Sequence, residues 1–149
     1  MTYQETLYKS AELKAIAGRM LRRIEALNTD GVCVDTILSR GSSGCSLAAG
    51  ILALSKAPLY HVFVRKEGER SHGSRTHAGS WGKGDAVIVD DFVLTGATVD
   101  AIIFSEACVR PKGEKVRAIL VAKNNSDTVH GEYNGLPIYH CGIDNCYGE

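Results

Sequence analysis

An excess of charge of either sign is what this sequence most plainly lacks: Lys+Arg and Asp+Glu both number 17, and the formal net charge is zero. No global basic field is available to gather nucleic acid or an acidic membrane surface, so neither is expected as a partner, and any anion must be held by a local site. Long apolar runs are missing too. None approaches the ~20 residues that span a bilayer, and the opening MTYQETLYKS has neither the basic nor the apolar region of a secretory signal. The cysteines (Cys33, Cys45, Cys108, Cys141 and Cys146) are odd in number and scattered. That usage predicts reduced thiols and a cytoplasmic protein rather than a disulfide framework. His140, Cys141 and Cys146 leave a tetrahedral zinc site one ligand short, so no metal is expected there.

What is present suits one folded domain over residues 1–149, with 44% apolar and 23% charged residues and no repeat, linker or low-complexity tract. Leu13, Ile16, Ala17, Met20, Leu21, Ile24 and Leu27 recur at helical steps. They predict a first helix starting near Thr2 and stopped by Asn28-Thr29-Asp30-Gly31. Strands are predicted at Val32–Ser39, Leu59–Arg65, Ala86–Asp91, Val116–Lys123 and, more weakly, Leu136–Cys141. Helices are predicted at Ser43–Ser55 and from Val99 to before Pro111. The alternation implies an α/β domain with a mostly parallel, twisted sheet of about five strands flanked by helices. Two polar stretches interrupt it, 66–83 and 124–135, and a loop as long as the first is usually functional or disordered.

The string VIVDDFVLTGAT, Val87–Thr98, concentrates the chemistry. Asp90 and Asp91 end a strand, on the sheet edge where open parallel sheets bind ligands. Thr95-Gly96-Ala97-Thr98 then enters a helix, with free backbone N–H groups, two hydroxyls and a glycine that admits an anion closely. Carboxylates accept hydrogen bonds from ribose hydroxyls, and the TGAT turn suits a 5′-phosphate. The chain has no P-loop to make this a Walker-B strand. The acids sit on the third strand rather than the first, unlike receiver domains, and Gly82-Lys83-Gly84 precedes a strand where a dinucleotide fingerprint would follow one.

This string resembles the signature of the type I phosphoribosyltransferases, which use 5-phosphoribosyl-1-pyrophosphate (PRPP). Two further segments, in the family's order, support the resemblance. Ser39-Arg40-Gly41-Ser42-Ser43-Gly44 follows the first strand and is similar to the S-R-G pyrophosphate loop of adenine-using members. Arg65-Lys66-Glu67-Gly68-Glu69-Arg70-Ser71-His72-Gly73 resembles the mobile R-K-E-x-K-x-H-G loop of orotate phosphoribosyltransferases, with one extra residue before His72 and Arg70 in place of a lysine. The resemblance spans roughly residues 32–123 and implies that family's fold with a reduced base-binding hood.

It also implies roles. Asp90 and Asp91 would hold the ribose hydroxyls, and Thr95, Gly96, Ala97 and Thr98 the 5′-phosphate. Ser39, Arg40, Gly41, Ser42 and Arg65 would line the pyrophosphate, and Lys66, Arg70 and His72 would close over it. Mg²⁺ would be carried mainly by PRPP oxygens and water, with Asp90 or Asp91 as possible direct ligands. Nucleobase and PRPP would be the partners, and a homodimer is implied because this loop reaches the neighbouring subunit in orotate enzymes. An orotate-like base is the first expectation and adenine or another purine the second; a non-catalytic PRPP-binding regulator is the alternative of another class. Tyr133, Asn134 and Tyr139 are candidates for base contact, with packing or turn roles as the alternative. Trp81, where the loop rejoins the sheet, is expected to respond to Mg²⁺·PRPP by fluorescence.

Overall fold

The computed structural model describes residues 9–66, 77–105, 108, 115–123 and 131–142. Helix α1 (Ser10–Thr29) buries Ile16, Ala17, Met20 and Ile24, a stripe at three- to four-residue spacing. It begins after an extended Lys9; the expected start near Thr2 lies outside the described residues. Asn28 ties its end to the next element, donating through Nδ2 to Val34 O (3.2 Å) and accepting from Val34 N (2.7 Å). Strand β1 (Val34–Arg40) leads through helix α2 (Gly41–Leu54) to β2 (Tyr60–Val64) and the short β3 (His77–Gly79). Strand β4 (Asp85–Asp90), helix α3 (Ala97–Ile103) and β5 (Val116–Val121) follow, then β6 (Glu132–Tyr133) and β7 (Leu136–His140).

The strands form one sheet in the order β3-β2-β1-β4-β5-β7-β6. The five inner strands run parallel, whereas β3 and β6 are antiparallel edges. Those edges fall within the two stretches read from the sequence as polar loops. Two or three residues pairing through their backbones need no apolar pattern, which is why the expectation stopped at about five strands.

Both faces of the sheet are covered, and the pleat shows it. Val87, Val89, Ala118 and Leu120 pack toward α1 and α2, with Leu47, Ala48 and Ile51. Ile88, Ile119 and Val121 point the other way, toward Val99 and Ile102 of α3. Alternate residues of one strand therefore serve two cores, and the strands read as continuous apolar runs rather than as polar–apolar alternation. Each fully buried Ile or Leu contributes about 1.5–3 kcal/mol by removal from water.

Strand β1 connects onward to β2 on one side, while β4 lies on its other side. The crevice between the carboxyl ends of β1 and β4 is thus a topological switch point, where open α/β sheets bind ligands.

Candidate functional site at the switch point

Two loops form the crevice. The first leaves β1 at Arg40, which is extended, and turns at Gly41 with φ of 82°. That left-handed backbone favours glycine, and a Cβ there would also lie only 3.2 Å from Lys66 Cε. Gly44, one turn on, is equally confined, because a Cβ would press on Val89 O at 2.9 Å and Ser39 Cβ at 3.3 Å. The absent side chain at Gly44 lets the start of α2 sit directly against the end of β4.

The second loop leaves β4 at Asp90-Asp91. Its backbone is anchored by the end of β5: Lys123 N donates to Asp91 O at 2.8 Å and Ala122 N to Asp90 O at 3.2 Å. The acids are oriented locally, with Asp91 N donating to Asp90 Oδ1 and Phe92 N to Asp91 Oδ1, both at 2.8 Å. Thr95 Oγ accepts from Ala97 N at 3.2 Å, and Gly96 (φ of 84°) turns the chain into α3.

Tyr133 holds this turn from outside. Its hydroxyl donates to Asp100 Oδ2 at 2.9 Å, and its ring covers Gly96 so closely that a Cβ there would collide with it.

Between the loops lies a cavity of about 210 Å³ lined by Arg40, Gly41, Ser42 and Ser43, by Lys66, and by the run from Asp90 to Val99. Arg40, Ser42 and Ser43 line it from the loop after β1 and Lys66 from beyond β2, while Asp90, Asp91, Thr95 and Thr98 line it from the loop after β4. Asp90 is only 7% exposed. Burial, and then the neighbouring Asp91 carboxylate, pushes its carboxyl up to about 8, with the Lys66 ammonium pulling the other way. Among the described residues Arg40 Nε is buried without a hydrogen-bond partner, and Arg40 lines the cavity.

Of the residues singled out from the sequence, Arg40, Gly41, Ser42, Lys66, Asp90, Asp91, Thr95, Gly96, Ala97 and Thr98 share this cavity. Ser39 does not line it. Its side chain is buried in β1, with Oγ 2.6 Å from His61 Nε2, and burial lowers the His61 pKa. Arg65 is likewise outside; its guanidinium donates to His77 O at 3.3 Å and clasps the ends of β2 and β3. Arg70 and His72 lie outside the described residues.

The three aromatic and amide candidates for base contact serve the fold. Tyr133 clamps Gly96, Asn134 (φ of 55°) and Gly135 (φ of 80°) make the β6–β7 turn, and Tyr139 lies under the Arg23 guanidinium at 4.4 Å. Trp81 is at the wrong end to sense the cavity. Strand β3 returns antiparallel to β2, so the following residues reach the opposite edge, where Gly82 N bonds Thr36 Oγ and Gly84 N bonds Asp35.

Sequence reasoning missed Ser43 and the spacer Phe92-Val93-Leu94 as lining residues, and it missed the Tyr133 clamp. The Asn-Gly pair after Tyr133 was the available signal for a hairpin.

No family model and no curated protein matches the sequence. Solved structures do match. Orotate phosphoribosyltransferase from Aeropyrum pernix aligns over 95% of this chain and 77% of its own, at 20% identity and a TM-score of 0.63. Adenine phosphoribosyl transferase from Trypanosoma brucei, solved with AMP, pyrophosphate and ribose-5-phosphate, aligns over 99% and 73% at 17% identity and 0.61. Orotate phosphoribosyltransferase from Francisella tularensis aligns over 82% of this chain at 19% identity and 0.56, and the match spans only 58% of the Francisella chain. The fold is that of the type I phosphoribosyltransferases.

Proposed function

We propose that this chain transfers ribose 5-phosphate from PRPP to a nucleobase and releases pyrophosphate. The observation that carries the reading is the shared cavity: Arg40–Ser43, Lys66, Asp90-Asp91 and Thr95–Thr98 meet at the switch point, cations and donors opposite paired acids. PRPP has the complementary layout, with a 5′-phosphate, two ribose hydroxyls and a pyrophosphate in sequence.

Transfer breaks the bond from C1 to pyrophosphate while positive charge grows on the ribose ring. The chain's contribution is placement and electrostatics. Asp91 accepts from a ribose hydroxyl and sets an anion near the developing charge. Asp90, whose burial beside Asp91 raises its pKa and favours the protonated form, hydrogen-bonds the sugar as donor or acceptor. The 95–98 turn holds the 5′-phosphate, while Arg40, the backbone of Gly41-Ser42 and Lys66 take the charge of the departing pyrophosphate. Arg70 and His72 are assigned to the same task by the sequence resemblance alone. Mg²⁺ fits the donor set of two hard carboxylate oxygens beside a phosphate-sized space, and when bound it neutralises leaving-group charge.

An orotate-like acceptor is favoured by the Arg65–Gly73 pattern, with a purine second. A homodimer rests on the same pattern, and a monomer by sedimentation would reject it. Incubation with Mg²⁺·PRPP and, in turn, orotate, uracil, adenine, hypoxanthine, guanine and xanthine tests the activity. Pyrophosphate release that depends on one of these bases is expected. PRPP binding with no release for any base would replace the enzyme by a PRPP-binding regulator.

A further inference from the structure

On the same edge of the sheet, α1 and the end of β7 enclose a second cavity of about 370 Å³, lined by Arg19, Arg22, Arg23, Ala26, His140 and Cys141. It shares no lining residue with the cavity at the switch point. His140 is in register with Val121, and Val121 with Asp90. The two sites are therefore about two strand spacings apart, on the order of 10 Å.

We propose that this second cavity binds the phosphoryl group of a small anion. Its charge is the first reason. Three arginines from one helix line it and, among the described residues, no carboxylate does, in a chain whose net charge is zero.

Their spacing is the second reason. Arg22 and Arg23 stand at i+3 and i+4 from Arg19, so each emerges within ~5–6 Å of it. Like charges so placed repel and weaken the isolated helix, and a dianion between them reverses the sign of that interaction. A phosphoryl group offers three acceptor oxygens to the guanidinium forks, a geometry that arginine meets and lysine does not.

The third reason is preorganisation. The Arg23 guanidinium is stacked 4.4 Å above the centre of the Tyr139 ring, and Arg19 Nη1 donates to Gly142 O at 3.3 Å. Two of the three forks are thus held in place by the end of β7 and the residues after it, which lowers the ordering cost of binding. Arg22 folds back along α1, its Nη1 within 3.8 Å of the space a Cβ would take at Gly18.

The inference stands apart from the PRPP reading and is tested separately. Inorganic phosphate is titrated into ¹⁵N-labelled protein at constant ionic strength, and the arginine Nε–Hε resonances are followed. Saturable shifts of Arg22 and Arg23 are expected. Arg22→Gln/Arg23→Gln raises the apparent Kd by about tenfold or more, as loss of charge-assisted bonds implies, whereas Thr98→Ala in the first cavity leaves it unchanged. Arg22→Gln alone, at an exposed position, weakens binding in the same direction should the double variant fold poorly.

A parallel titration with ribose 5-phosphate distinguishes the source. Tighter binding than inorganic phosphate assigns the site to sugar phosphates; equal binding assigns it to phosphate itself. Shifts that grow linearly, or that chloride reproduces, overturn the proposal. So does binding that survives Arg22→Gln/Arg23→Gln or is lost in Thr98→Ala. A change of oligomeric state in the double variant with phosphate binding intact would instead make this face a contact between copies.

Discussion

Tyr133 reaches from β6 to α3 and donates its hydroxyl hydrogen to Asp100 Oδ2 at 2.9 Å, laying its ring over Gly96 as it does so. A residue near one edge of the sheet thereby fixes the turn assigned to the 5′-phosphate. Tyr133→Phe keeps the ring on Gly96 and loses only the hydrogen bond. The variant is expected to melt at a lower temperature and to bind PRPP less tightly by under about tenfold, the scale of one hydrogen bond. Gly96→Ala, which drives a methyl into the ring, is expected to lose PRPP binding far more severely. Calorimetric affinities for the two variants check the ordering; equal losses would show that the ring does not support the turn.

Asp90 makes stability depend on pH. Its carboxyl is raised to about 8 in the folded chain from an ordinary value of 3.8, so between those limits the native state holds a proton that the unfolded chain releases. Stability from this group is therefore highest in acid, falls as pH rises from about 4 to about 8, and levels off above. Asp90→Asn removes the dependence. The melting temperature of Asp90→Asn minus that of the native chain is expected to be larger at pH 8 than at pH 5. A difference that is flat with pH would show that Asp90 is ionised across the range.

Ser39 separates a structural role from a ligand role. It opens the S-R-G loop in sequence, yet its hydroxyl is engaged with His61 inside the fold. Ser39→Ala is expected to cost about 0.5–1.5 kcal/mol of stability while leaving Mg²⁺·PRPP affinity within about threefold. A tenfold loss of affinity without loss of stability would return Ser39 to the pyrophosphate site.

These cases also show what was legible in the residues. The inner strands declare themselves because both faces of a parallel sheet are buried, and the helical stripe of Ile16, Met20 and Ile24 does the same for α1. The pairing of Arg40–Ser42 with Asp90–Thr98 followed from motif order, since each loop leaves the carboxyl end of a strand. Side-chain direction at a strand end was not legible: Ser39 and Arg40 are neighbours, and only Arg40 lines the cavity. Edge strands were hidden because β3 and β6 pair through backbone groups alone. The position of Trp81 depended on β3 and was misjudged with it. The arginine cavity was invisible as well, because Arg19, Arg22 and Arg23 lie between the apolar positions of the helix and only the passage of β7 beside them makes a shared cavity.

The central claim is that the cavity between the ends of β1 and β4 holds PRPP through the paired acids. Its most direct test is a calorimetric titration of Mg²⁺·PRPP into the native chain and into Asp91→Asn, with circular dichroism to verify that both are folded. Saturable binding by the native chain and a Kd raised by on the order of 10- to 100-fold in Asp91→Asn are expected from the loss of a charged hydrogen-bond partner. Equal affinity in the two proteins, or no binding by the native chain, would contradict the account.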